Sequence, residues 1–78
     1  MGFDLALLKW HKLTDKFEID IIGNGGRHTY HREYGDVTSW DSVLQISKLA
    51  LAEVNLKLGS LVEEENNNEE RVTTYKLT

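Results

Sequence analysis

The chain has 78 residues, no cysteine and no proline, 40% hydrophobic residues and a net charge of -4. One domain spanning residues 1–78 is expected, near the lower size limit for unaided folding, where about 60% of the unfolded surface becomes buried. A disulfide framework and a thiolate zinc site are excluded. Extended disorder is disfavoured by Trp10, Trp40, three Tyr and numerous Leu and Ile. No apolar run approaches the roughly 20 residues that a bilayer requires, and no series of charged, apolar and small residues marks a signal peptide. The expectation is a soluble, cytoplasmic domain with no membrane contact.

The acidity is local. Of thirteen Asp and Glu, five (Glu63, Glu64, Glu65, Glu69 and Glu70) fall in one eight-residue stretch without a base, leaving eight acids against nine Lys and Arg. The carboxylates are not spread along a face as in a nucleic-acid mimic. Nor is there the clustered basic stripe expected of a duplex DNA binder.

Along the chain, Gly2 to Leu13 has helix-forming composition, with Phe3, Ala6, Leu7, Trp10 and Leu13 roughly on one side. The alternation Phe3, Leu5, Leu7 also permits a strand, and helix is the reading preferred here. Phe17 to Ile22 alternates apolar and polar residues, and Asn24-Gly25 is the favoured pair for a two-residue hairpin turn. That turn sets a register in which Ile21 faces His28, Ile19 faces Tyr30 and Phe17 faces Arg32. On the other side Asp20 faces Thr29, Glu18 faces His31 and Lys16 faces Glu33.

A helix is expected from Ser39 to Leu58. Asp36, Thr38 and Ser39 supply capping oxygens, Asp41 sits in the first turn, and Gly59 serves as the left-handed stop. Trp40, Val43, Leu44, Ser47, Ala50, Leu51, Val54 and Leu58 gather on one face as the core side. A second stripe, Gln45, Leu49, Ala52 and Leu56, lies nearly opposite. Arg71 to Leu77 reads as a strand, rich in Val72, Thr73, Thr74 and Tyr75. Leu61 and Val62 are suited to begin another across Glu63–Glu70, which is expected to be a mobile acidic loop with no residue to anchor it.

Gly23-Asn24-Gly25-Gly26 lacks the third glycine and the following helix of a dinucleotide fingerprint, so the glycines serve a tight turn. His28 and His31 point to opposite sides of a strand, and no cysteine completes a soft site, so no metal or cofactor is expected. No Ser–His–acid grouping is legible, and a non-enzymatic protein is expected.

The architecture implied is α+β: an antiparallel sheet of three or more strands, one long helix packed on one face, and an N-terminal helix or strand. The favoured role is a small interaction protein. Its size and chemistry suit the inhibitors that phages and mobile elements encode against host or defence proteins. Its contact residues would be Gln45, Leu49 and Leu56 on the helix and Glu63, Glu64, Glu65, Glu69 and Glu70 in the acidic tract. The surplus leucine stripe further implies a homodimer. The alternative is a single-stranded nucleic-acid or nucleotide binder using Arg27, His28, Tyr30, Arg32 and Tyr34, which interleave charge and aromatic surface.

Overall fold

The computed structural model describes residues 2–78. Five strands and one helix follow in the order β1 (Phe3–His11), β2 (Lys16–Gly23), β3 (His28–Tyr34), α1 (Trp40–Ala52), β4 (Leu58–Asn66) and β5 (Glu70–Leu77). The strands form one antiparallel sheet ordered β3-β2-β1-β5-β4. The chain runs outward through β1, β2 and β3 to one edge, crosses the sheet as α1, and descends along the opposite edge as β4. β5 then returns inward to pair with β1. The α+β reading holds, with five strands and one helix.

The N-terminal segment is a strand, which corrects the preference for helix. β1 is the central strand, flanked by β2 and β5. Ala6 and Leu8 are buried beneath α1, while Leu5 and Leu7 on the other face are half-buried. Leu5 and Leu7 on the outer face join Ala6 and Leu8 on the core face in one unbroken apolar run, which blurs the two-residue period into a pattern that resembles a helix.

The β2–β3 hairpin forms where expected but with a shifted register. Phe17 faces Tyr34, Glu18 faces Glu33, Asp20 faces His31 and Ile21 faces Tyr30. The connection is the four residues Asn24 to Arg27, in which Asn24, Gly25 and Gly26 have φ of 52°, 67° and 90°. The positive φ at the two glycines is what their missing side chains allow. A slip of two residues keeps every side chain on its expected face and changes only its partner. Gly23 is constrained by a different contact: a Cβ there would lie 2.8 Å from the Phe3 Cα.

Ser39 caps α1, its hydroxyl accepting from the Ser42 amide at 3.2 Å, and Asp41 lies in the first turn as expected. The helix ends earlier than its apolar period suggests. Asn55, with φ 59°, takes the left-handed position assigned to Gly59, and the Leu56 amide reaches back to the Leu51 carbonyl at 2.9 Å. This is a Schellman closure. Val54 is consequently exposed, and Leu58 begins β4.

The core lies between α1 and one face of the sheet. Val43 and Leu51 from the helix, with Val37 before it, meet Ala6, Leu8, Phe17, Ile19 and Ile21. Ser47 is buried too, donating to the Val43 carbonyl at 2.7 Å. The Trp10 indole donates to the Val37 carbonyl at 2.8 Å and pins the segment entering α1. Arg71 stacks over Trp40 at 4.1 Å and pairs with Glu64 at 2.7 Å, joining the helix start to β5 and β4. Among the described residues no helix covers the second sheet face. No helix among the described residues is long and apolar enough to cross a membrane.

Candidate functional site

β4 is one of the two sheet edges, and its outer backbone groups have no neighbouring strand. Glu63 to Asn66 belong to this strand and Glu70 opens β5, so the acidic tract is a hairpin rather than a loop. Its tip is also anchored, contrary to expectation. The Asn67 side chain accepts from the Glu69 and Glu70 amides at 2.8 and 2.9 Å. Lys12 donates to the Asn66 side chain at 2.5 Å and to the Asn67 carbonyl at 2.6 Å.

Of the five glutamates, Glu64 is neutralised by Arg71. Glu63, Glu65 and Glu69 are exposed and make no ion pair among the described residues. Just before them, Leu61 and Val62 are 49% and 53% exposed. The register slips between Leu58 and Leu61 and again between Leu61 and Glu63. Bulges and charges are the devices by which sheet edges resist pairing with copies of themselves. Here they coincide with an exposed apolar pair, Leu61 and Val62.

The helix stripe does not persist as a stripe. Gln45 and Ala52 are exposed and Leu49 is 70% exposed, but Leu56 lies past the end of α1 and packs on the core margin. Leu56, Ala52 and Leu58 instead line a groove of about 540 Å³ flanked by Lys48 and Lys57.

The residues of the nucleic-acid alternative are divided. Tyr30 and Tyr34 are on the helix side of the sheet and partly buried against the core, with Tyr34 stacked on Phe17 at a centroid distance of 5.8 Å. Arg32 lies over Tyr30 at 5.1 Å and pairs with Glu53 at 3.7 Å. His28 is exposed opposite Gly23, and Arg27 sits in the turn. The two tyrosines offer no continuous stacking surface, since their rings face the protein interior.

The uncovered sheet face contains a grouping absent from the sequence expectations. β1 brings His11, β2 brings Glu18 and Asp20, and β3 brings His31 and Glu33. The His11 and Glu18 side chains meet at 2.5 Å. His31 uses Nδ1 toward Asp20 at 2.6 Å and Nε2 toward Glu33 at 3.1 Å, with Glu18 at 3.8 Å. Hydrogen bonds to Glu33 and then Asp20 favour the imidazolium and hold His31 above its ordinary pKa. The pairing expected between His31 and Glu18 is therefore the longest of its three contacts. A cleft of about 390 Å³ opens beside this cluster, lined in part by His11, Lys16, Glu18, Glu33 and Tyr34. The alternation of Glu18 with Asp20 and of His31 with Glu33 was the available sequence signal, but it needs the β1–β2–β3 register to be read.

No family model matches this chain, and no curated protein and no solved structure matches it either.

Proposed function

We propose that the protein is a non-enzymatic interaction module whose working surface is the β4 edge, and that its partner presents an extended, basic segment. The observation that carries this reading is the coincidence, along one sheet edge and the turn that follows it, of exposed Leu61 and Val62 with the carboxylates of Glu63, Glu65 and Glu69, which make no ion pair among the described residues. Strand addition would take its affinity from main-chain hydrogen bonds and its selectivity from alternate side chains. Positive residues on the incoming strand would satisfy the carboxylates, while a second copy of β4 would bring like charges together. Selection from a displayed peptide library against the intact protein tests this. Basic, β-branched sequences should emerge and should lose binding to a Glu63→Gln, Glu65→Gln, Glu69→Gln variant. Recovery of no sequences, or of sequences that bind the variant equally well, would contradict the proposal.

A further inference from the structure

The uncovered sheet face carries a second feature, independent of the β4 edge and on the other half of the sheet. We infer that Glu18, His31 and Glu33 form a binding site for a divalent transition metal of the zinc class. One ligand atom from each lies within 4.8 Å of the others. Ligands held about 2.0–2.2 Å from a metal lie roughly 3.4–4.2 Å apart; His31 Nε2 is 3.8 Å from Glu18 and 3.1 Å from Glu33, so a modest rotation of Glu33 completes the geometry. Glu33, with 70% of its side chain exposed, is free to make that rotation.

The orientation of His31 matters more than the distances. Asp20 occupies Nδ1, which leaves Nε2 as the nitrogen on which Glu33 and Glu18 converge. A carboxylate on one imidazole nitrogen with the metal on the other is the usual arrangement that fixes a ligating histidine. Glu18 is steadied in the same way: one of its oxygens meets His11, and its other oxygen faces His31. The ligands therefore sit on paired strands and two of them are held by further partners.

The β2–β3 register gives an energetic reason for a cation. Glu18 and Glu33 are directly opposite, an arrangement of like charges that weakens a sheet. His31 offsets part of that repulsion, and a metal between the two carboxylates would replace it with shared ligation. The half-exposed His31 and the exposed Glu33 leave the site open to solvent, from which water would complete the coordination. An imidazole among the ligands favours zinc-class ions over magnesium or calcium, which select all-oxygen sites. Lys9 and Lys16 share this face by alternation and reduce its net negative charge, so the site would bind less tightly than a buried one.

Calorimetric titration of the EDTA-stripped intact protein with zinc chloride, in a non-coordinating buffer, tests the site. One equivalent should bind, and magnesium chloride should give no comparable heat. His31→Ala should weaken zinc binding at least tenfold. Asp20→Asn, which leaves all three ligands in place, should weaken it by about tenfold through lost orientation. His28→Ala should leave it unchanged. Dispersed amide spectra of each variant establish that the fold is kept, and zinc should move the His31 Nε2 resonance rather than Nδ1. Absence of zinc binding, unchanged affinity in His31→Ala, or ligation through Nδ1 would overturn the inference.

Discussion

Thr73 lies in the middle of β5, 1% exposed, opposite Leu8 on one side and Glu64 on the other. Its hydroxyl has no hydrogen-bond partner among the described residues. A buried hydroxyl left in this state costs about 1–3 kcal/mol. Thr73→Val removes that cost and buries one more methyl-sized group, worth about 0.8 kcal/mol. Against this, the methyl is slightly larger than the hydroxyl, and overpacking in a tight core costs about 1 kcal/mol or more. The expected net effect is a stabilisation of about 1–2 kcal/mol. In a domain of this size each kcal/mol moves the thermal midpoint by about 4–8 °C. Urea denaturation should show a raised midpoint with an unchanged slope, the signature of altered stability without altered exposure on unfolding. Thr73→Ser retains the hydroxyl and removes the methyl, so it should destabilise. If Thr73→Val proves no more stable than the parent, the hydroxyl is satisfied after all and the reasoning fails.

The closure of α1 gives a second prediction: Asn55→Ala should lower stability by about 1 kcal/mol, because a left-handed backbone costs an alanine roughly 1–2 kcal/mol, whereas Asn55→Gly should leave the thermal midpoint nearly unchanged. In the presence of EDTA, NMR titration should place the His31 pKa above 6.5, and Glu33→Gln and Asp20→Asn should each lower it. Because the folded value is raised, this contact contributes stability that is fully present below about pH 6.5 and is lost as the pH rises through the folded pKa; stability that did not change there would contradict the assignment. Glu63→Gln, Glu65→Gln, Glu69→Gln changes the net charge from -4 to -1 and should leave stability nearly unchanged, while stopped-flow association with a basic ligand slows and its salt dependence flattens. Glu64→Gln alone should instead destabilise slightly, through loss of the Arg71 pairing.

The parts of the fold that were legible in the sequence are those set by local chemistry. Ser39 caps a helix because its hydroxyl reaches an amide three residues on, and the alternation from Phe17 to Ile22 fixes which residues face the core. The parts that were not legible depend on neighbours distant in sequence. β1 resembled a helix because Leu5 and Leu7 on its outer face join Ala6 and Leu8 on its core face in one apolar run. Asn55 and Gly59 were both able to stop α1, and the continuing Val54 and Leu58 favoured the later one. Glutamate is a poor strand former, so Glu63–Asn66 read as a loop until pairing with β5 supplied the context. The hairpin faces were legible and its partners were not, because a two-residue and a four-residue turn preserve the same alternation. That difference separates Glu18 from its expected partner His31 and places Glu33 opposite it. The His11 contact needed the β1–β2 register as well, and so the whole cluster was beyond reach of the sequence.

The proposal that β4 is the working edge is tested most directly by amide hydrogen exchange, with and without a saturating basic peptide obtained by library selection. The two sheet edges serve as mutual controls, since β3 and β4 both lack an outer neighbour. Binding should slow exchange at outward-facing amides of Leu58–Asn66 and leave those of His28–Tyr34 unchanged. Protection appearing on β3, on the exposed face of α1, or nowhere on β4 would contradict it.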